Sequence, residues 1–205
     1  MIEFYDVSCW QSPDAVASLV HRNGDKILCV KASEGATLKD GKAGAHVNAC
    51  KNDVECFMFY HFMRCDKNAP NIAVEVENFC DAVKIIRDKT GIKKAVYALD
   101  FERCDNKHKY SDAANPLHRA ALERAIKLLE VRNGIAPYVY ACESEYKMLK
   151  ACNVYIPWAW VAKYSMLPPV EPWGIWQYTN TRGVIDRNKY RSTLDAFKRK
   201  AATIQ

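Results

Sequence analysis

Segments typical of β-strands and of α-helices alternate along most of this 205-residue chain. Short apolar runs predict strands at 2–7, 26–32, 56–62, 95–101, 137–141, 158–164 and 173–179. Helical periodicity, with prolines at starts and glycines at ends, predicts helices near 13–24, 44–52, 73–89, 116–131, 144–152 and 189–201. Because helices follow the early strands but not the late ones, this order predicts a single α/β barrel domain over 1–205 whose last part has lost some helices.

An acidic pair follows the fourth predicted strand. Asp100 and Glu102 are two residues apart, so their side chains point to the same side of the strand. Crowding pushes the pKa values of two such carboxyls apart, so that one keeps its proton near neutral pH while the other ionises. This arrangement suits acid catalysis of glycoside cleavage. The alternative is a strand end with two solvated acids, because the D-x-E pattern is short.

Acidic, polar and aromatic side chains recur at the carboxyl ends of the other predicted strands. They are Asp6, Lys31, Ser33, Glu34, Tyr60, His61, Tyr140, Tyr164, Gln177 and Tyr178. In parallel barrels the carboxyl ends of the strands form the active-site face. The general tendency of polar residues to begin where strands end explains only part of this pattern, so the recurrence predicts one functional site at that face.

Composition and charge narrow the classes of partner. The net charge of +6 and the pI of about 8.8 favour anionic partners. The basic residues are spread along the chain outside 187–200 and no nucleic-acid-binding module is recognisable, so no nucleic-acid partner is expected. The nine cysteines include no C-x-x-C pair. We therefore expect free thiols, no metal and no organic cofactor.

Six segments resemble, in the same order, the motifs of glycoside hydrolase family 25, the Chalaropsis-type lysozymes. The family motifs are D-V-S-x-W-Q, K-A-T/S-E-G, Y-H-F, L-D-x-E, W-x-A-x-Y, and W-Q-Y-T followed by V-D-x-N. The matching segments are Tyr5–Gln11, Val30–Gly35, Phe59–Phe62, Ala98–Glu102, Trp160–Tyr164, and Trp176–Thr179 followed by Ile185–Asn188. Any one match is weak, but six in order, each at a predicted strand end, are specific.

The resemblance implies a TIM-like (β/α)5(β)3 barrel and a muramidase. Such an enzyme hydrolyses the β-1,4 bond between N-acetylmuramic acid and N-acetylglucosamine in peptidoglycan with net retention. The resemblance makes Glu102 the general acid and Asp100 an ionised group that stabilises the transition state, orients the substrate acetamido group or acts as nucleophile. Asp6, a third catalytic residue, and Asp186, which also contacts the sugar, complete an acidic floor, although Asp186 could instead cap the final helix. The other implied sugar contacts are Glu34, Tyr60, Tyr164, Gln177 and Tyr178.

Other polar and aromatic residues are expected to be structural. We expect His61 to be a core or second-layer histidine, and Trp10, Trp160 and Trp176 to pack the barrel. The link 179–185 is shorter than is usual in the family, which leaves the exact placement of Asp186 open. Chitinase-like or glucosaminidase activity, or a non-catalytic glycan-binding barrel, are the alternative functions.

The resemblance also leads to expectations about partners and location. The substrate is a peptidoglycan glycan strand, and the protein is expected to be a monomer. With neither a signal peptide nor an appended wall-binding domain in the sequence, a phage endolysin is expected, made in the bacterial host cytoplasm and released through a holin pore. The basic final helix attracts anionic wall polymers or a membrane surface, unless it is only a solvated helix. Its basic residues are Arg187, Lys189, Arg191, Lys198, Arg199 and Lys200.

Overall fold

Eight strands close into a barrel in the computed structural model, which describes residues 1–103, 110–179 and 185–204. The strands are β1 (Ile2–Val7), β2 (Ile27–Glu34), β3 (Leu38–Lys39), β4 (Cys56–Phe62), β5 (Lys94–Asp100), β6 (Tyr138–Cys142), β7 (Trp158–Ala162), β8 (Ile175–Gln177), β9 (Asp186–Tyr190) and β10 (Ala202–Thr203). The helices are α1 (Pro13–Asn23), α2 (Ala43–Cys50), α3 (Cys65–Asn68), α4 (Ala73–Thr90), α5 (Pro116–Asn133), α6 (Glu143–Ala151) and α7 (Leu194–Lys198). A short 3-10 helix at Ala69–Asn71 joins α3 to α4.

The strand order around the barrel is β1-β2-β4-β5-β6-β7-β8-β9, and β9 pairs with β1 to close it. Neighbouring barrel strands are parallel except at β9, which runs antiparallel to both β8 and β1. Helices follow β1, β2, β4, β5 and β6, whereas the described residues contain no helix between β7 and β8 or between β8 and β9. The predicted (β/α)5(β)3 barrel is therefore confirmed. Outside the barrel, β3 forms a hairpin with the end of β2, and β10 pairs with the start of β5.

Sequence signals at the helix ends act as predicted. The Asn115 side chain accepts a hydrogen bond from the Leu117 amide at 2.9 Å, which caps α5 just before Pro116. Gly134 ends the same helix in the left-handed region, with φ at 72°. The chain therefore turns back from the helix into β6 within a few residues.

Alternating strand residues divide the apolar residues into two cores. Residues that point outward from the parallel strands pack against the surrounding helices, as Val30, Phe59 and Leu99 do. Residues that point inward at the amino-terminal end of the barrel form a second cluster with the fully buried Phe197 of α7. They are Phe4, Ile27, Met58, Val96, Tyr138, Ile175 and Tyr190. This end of the barrel is therefore filled with apolar and aromatic side chains, and the opposite end holds the polar inward residues.

The predicted basic helix over 189–201 is wrong. Asp186–Tyr190 forms the eighth barrel strand, and the helix that follows, α7, is only five residues long. Arg187 lies over the Tyr5 ring at 4.3 Å and its guanidinium contacts Glu3 at 2.9 Å, while the Lys189 ammonium lies 4.4 Å from the centre of the Tyr178 ring. These cations cover an outer barrel wall that has no helix, so they do not form the predicted helical surface for anionic polymers.

We expect Phe197→Ala to destabilise the protein by about 3–5 kcal/mol, because it removes the buried ring that fills the amino-terminal end of the barrel. Urea unfolding followed by circular dichroism measures the change. Leu117→Ala on α5 is the control, since that side chain is 65% exposed and its loss should cost less than about 0.5 kcal/mol. Equal unfolding midpoints for the two variants would show that Phe197 is dispensable.

Candidate active site

A polar cavity of about 110 Å³ opens at the carboxyl end of the barrel strands. Its walls come from seven barrel strands and from the segment that follows β5. The lining residues are Asp6, Tyr60, Asp100, Glu102, Tyr140, Trp160, Gln177 and Asp186. All three residues predicted to be catalytic (Asp6, Asp100 and Glu102) are thus brought together, with Tyr60, Gln177 and Asp186 from the predicted sugar contacts.

The backbone around β5 fixes the direction of the acidic pair. The Met63 amide donates to the Asp100 carbonyl at 3.0 Å, and the Phe101 amide donates to the Tyr140 carbonyl at 2.9 Å. Phe101 is fully buried in the outer core. Because side chains alternate, this places Asp100 and Glu102 together on the cavity side.

Asp100 is a deeply buried carboxyl of the cavity. Burial raises its pKa well above the usual range, and the negative charges of Glu102, Asp6 and Glu34 raise it further, against an opposing effect of Lys31. Within the described part of the chain its Oδ1 atom is buried with no hydrogen-bond partner. Ionisation of Asp100, which the resemblance implies for catalysis, is thus opposed by burial and by the neighbouring acids.

Asp6 and Asp186 face each other across the β1–β9 pair. Their Cα atoms are partners in the antiparallel register, so Asp186 begins a strand and does not cap a helix. Burial raises the pKa of Asp186 to about 7, and the charges of Asp6 and Glu102 contribute. Burial also raises the pKa of Asp6, although hydrogen bonds from Asn188 and Gln177 oppose that rise. Asp6 and Asp186 thus occupy the positions of the acidic floor that the resemblance implies.

Amide and hydroxyl groups connect one side of the cavity into a network. Gln177 donates through Nε2 to Asp6 Oδ2 at 3.0 Å. Its Oε1 atom accepts from the hydroxyls of Tyr140 at 2.9 Å and Tyr164 at 3.0 Å. Tyr164 is half-exposed, so the network runs from the buried Asp6 to the rim of the cavity.

Three of the predicted sugar contacts do not line the cavity wall: Tyr164, which lies at the rim, Glu34 and Tyr178. Glu34 lies at the end of β2, where it forms ion pairs with Lys31 at 2.8 Å and Arg64 at 3.1 Å. Its charge nevertheless acts on Asp100, so Glu34 belongs to the rim. Tyr178 lies on the outer wall instead, where its hydroxyl donates to Glu3 at 2.9 Å.

Three residues of the site were given no catalytic or sugar-binding role from the sequence. Tyr140, in the middle of β6, was only one of the polar residues expected near a strand end, whereas Trp160 was expected only to pack the barrel. Asn188 is fully buried and donates to Asp6 at 2.7 Å; its signal in the sequence is the match to the last position of the V-D-x-N motif. The strand-end pattern therefore locates the cavity but not all of its walls.

The residues expected to be structural give a mixed outcome. His61 is buried between Ser33, at 2.8 Å from Nδ1, and Glu75, at 2.9 Å from Nε2, as expected for a core histidine. Trp10 was expected to pack the barrel, but it is 87% exposed on the turn after β1. That turn is closed by its own hydrogen bonds, including the Ser8 amide to Gln11 Oε1 at 2.8 Å, so the indole is not needed to hold it.

The remaining observations concern the cysteines, metal sites and membrane-spanning helices, and the residues that the structure does not describe. Cysteines in the described residues are free thiols, and Cys104 lies outside that part, as do residues 180–184 of the link before β9. Across 1–103, 110–179 and 185–204, no cluster of three or more His, Cys, Asp or Glu residues has the geometry of a metal site. None of the helices in those ranges is long and apolar enough to cross a membrane.

The sequence profile of the glycosyl hydrolases family 25 matches residues 5–186. This chain belongs to that family. As a family 25 protein it is a glycoside hydrolase, and its acidic cavity occupies the end of the barrel where such a fold carries its active site. Among curated protein sequences, none gives a significant match.

Solved structures of similar fold include lysozymes from several sources. A bacterial lysozyme from Streptomyces coelicolor has a TM-score of 0.77 at 21% identity, covering 97% of this chain and 96% of that one. A muramidase from Trichobolus zukalii has a TM-score of 0.76 at 17% identity, with 98% of each chain covered. The catalytic domain of an endolysin from a Listeria monocytogenes bacteriophage has a TM-score of 0.75 at 22% identity, covering 98% and 97%. These likenesses show that the family 25 chain has the fold of those proteins.

We expect Asp186→Asn to raise the melting temperature at about pH 8 by about 3–6 °C, with little effect near pH 4. The folded carboxyl, with its pKa of about 7, holds a proton that the unfolded chain has already released. Wild-type stability therefore falls as pH rises from about 4 to about 7, and the amide removes that loss.

Differential scanning calorimetry across this pH range measures the effect of Asp186→Asn. Asp81→Asn on the exposed face of α4 is the control, and its melting temperature should follow that of the wild type at every pH. A pH-independent difference between Asp186→Asn and the wild type would contradict the raised pKa of Asp186.

Proposed function

We propose that this glycoside hydrolase is a muramidase that cleaves the β-1,4 bond between N-acetylmuramic acid and N-acetylglucosamine with net retention. The observation that carries the proposal is the pairing of Asp100 and Glu102 in an enclosed polar cavity of a family 25 barrel. Such a carboxyl pair supports hydrolysis of an acetal because one member supplies a proton and the other a negative charge.

In the proposed reaction, Glu102 donates its proton to the glycosidic oxygen as the bond from that oxygen to C1 breaks. Positive charge then develops on the sugar ring, and the anionic groups of the cavity stabilise it. Retention follows when the substrate acetamido oxygen attacks C1 with Asp100 orienting it, or when Asp100 itself forms a covalent intermediate. In both routes Glu102 then removes a proton from the water that attacks C1, which restores its carboxyl group.

Aromatic and amide groups of the cavity suit an N-acetylated sugar. The buried rings of Tyr60 and Tyr140 each pack against Trp160, with Tyr140 and Trp160 centred 4.8 Å apart, and this packing fixes the wall of the cavity. Tyr164 and Gln177 add hydroxyl and amide groups at the rim. Glu34, with its two ion-paired cations, is the further proposed sugar contact at the edge of the cavity.

We expect Glu102→Gln to lower the rate of peptidoglycan hydrolysis by about 10²–10⁴-fold without loss of fold, because an amide cannot protonate a leaving oxygen. Purified peptidoglycan is digested, the products are reduced with borohydride, and the new ends are identified by mass spectrometry. Glu77→Gln is the matched control, since Glu77 is exposed on α4 and should leave the rate unchanged.

The identity of the reduced ends decides between the alternatives. Reduced muramic acid from the wild type supports the muramidase. Reduced glucosamine would instead indicate a glucosaminidase or chitinase-like enzyme, and no release from any wall or chitin sample would favour a glycan-binding barrel. A fast Glu102→Gln variant would remove Glu102 from the acid role.

We expect Asp100→Asn to lower kcat by about 10²-fold or more, while the melting temperature at neutral pH is not reduced. Asp100 carries a buried oxygen without a hydrogen-bond partner in the described chain, so the fold gains little from its charge. Kinetics on soluble peptidoglycan fragments and calorimetry measure the two effects. A variant that loses its cooperative unfolding transition would make Asp100 a structural residue.

The biological setting stays a prediction. Expression from a phage genome, synthesis in the host cytoplasm and release through a holin pore are part of our proposal. A bacterial lysis assay with and without a co-expressed holin tests them. The monomeric state is likewise proposed, and light scattering tests it.

A further inference from the structure

Asn188 is held between a tryptophan and a carboxylate inside the barrel. It is fully buried on β9, and its Oδ1 atom accepts a hydrogen bond from Trp160 Nε1 at 2.8 Å. An indole nitrogen only donates, so the Trp160 contact settles which end of the amide faces which neighbour. The Nδ2 atom of Asn188 must therefore donate to Asp6 Oδ2, 2.7 Å away.

Asp6 receives a second neutral donor at the same oxygen. Gln177 Nε2 donates to Asp6 Oδ2 at 3.0 Å, and the Oε1 atom of Gln177 in turn accepts from the Tyr140 and Tyr164 hydroxyls. Two donors on one oxygen favour an ionised acceptor. Asp100, by contrast, has a buried oxygen with no partner in the described residues. The two donors thus favour the ionised form of Asp6 and oppose the effect of its burial, whereas the Oδ1 atom of Asp100 receives no such donor among the described residues.

Titratable groups surround Asp6 from the elements packed against it. Cys29 is its Cα partner on β2, and Asp186 is its partner on β9. The charge of Asp6 raises the pKa values of Cys29, Tyr60, Asp100 and Asp186. Further groups of the cavity and of the Gln177 network are Glu102, Tyr140 and Tyr164. An ionised Asp6 therefore keeps its acidic neighbours protonated.

We propose that Asn188 is a positioning residue of the glycosidase reaction, which holds Asp6 ionised and in one orientation so that its charge retains the catalytic proton on the Asp100–Glu102 pair. This inference rests on the function proposed above. Asn188 itself touches no reacting atom in this scheme; it acts through Asp6. The Trp160 N–H is essential to the argument, because it prevents the amide from turning its oxygen toward Asp6.

The isosteric variant Asn188→Asp gives a test that depends on pH. Its two carboxylate oxygens would face Trp160 and Asp6, so Asp6 and the new carboxyl would meet at the present 2.7 Å. At about pH 5 the pair shares one proton, which restores both the hydrogen bond and a single negative charge. At about pH 8 both carboxyls ionise and repel each other, which disturbs the orientation of Asp6.

At about pH 5 we expect the kcat of Asn188→Asp to stay within about fivefold of that of the wild type. By about pH 8 the ratio of variant kcat to wild-type kcat should fall by at least about tenfold more, with a smaller change in KM. Asn188→Leu removes the hydrogen bond at every pH, so its kcat should be low throughout. Asn78→Asp, a change at a buried asparagine of α4 remote from the cavity, is the control. It should lower stability but keep the wild-type shape of the pH profile.

A calorimetric measurement keeps the inference testable without a substrate. A shared proton with a raised pKa stabilises the folded Asn188→Asp variant at low pH, and this contribution is lost as pH rises. The melting temperature of Asn188→Asp should therefore fall further below that of the wild type with increasing pH. A constant difference in melting temperature, or a kcat reduced by one factor at all pH values, would make Asn188 purely structural. A wild type that hydrolyses no glycan would refute the proposed function, and the calorimetric result would still decide whether Asn188 controls the charge of Asp6.

Discussion

The antiparallel pairing of β9 with both β1 and β8 is the constraint on which the rest of the structure depends. Five consecutive residue pairs join β9 to β1, from Ile2 with Tyr190 to Asp6 with Asp186. Without this strand the parallel strands form an open sheet, and no enclosed space exists at their carboxyl ends. The same strand supplies a cavity acid, the amide that contacts Asp6, and a ring in the apolar cluster at the opposite end. The pairing of β9 therefore both closes the barrel and completes the site.

The cavity accommodates several acids at some cost to stability. Buried carboxyls repel each other and lose hydration, and this family 25 barrel offsets the cost with protons and neutral amide donors more than with buried cations. Among the described residues, Lys31 and Arg64 pair with Glu34 at the rim, and Arg187 pairs with Glu3 on the outer wall. Such an arrangement keeps a transferable proton inside the site, which an internal lysine or arginine would tend to displace.

Most of the fold was predictable because the first seven barrel strands have apolar residues in their inner or outer cores. Strand β9 was missed because two of its three inward residues are polar site groups and its outward residues are cations, so neither face shows a hydrophobic period. The strand-end pattern located the acids correctly. It also included Tyr178, yet the alternation along β8 that turns Gln177 inward turns Tyr178 outward. The rise in the pKa of Asp100 depends on its depth of burial, which only the closed barrel determines.

The alternating charges of β9 have a consequence for the fidelity of folding. Acidic and amide side chains at Asp186 and Asn188 face the interior, while Arg187 and Lys189, which alternate with them, lie on the outer wall. A shift of one residue in pairing with β1 would exchange the two sets. Two basic groups would then enter the barrel, and the partners of Glu3 on the outer wall would be lost. The alternating charges of β9 therefore specify its pairing register, as alternating hydrophobic residues do in the neighbouring strands. A barrel with a shifted register is electrostatically unfavourable, whether or not a substrate is bound.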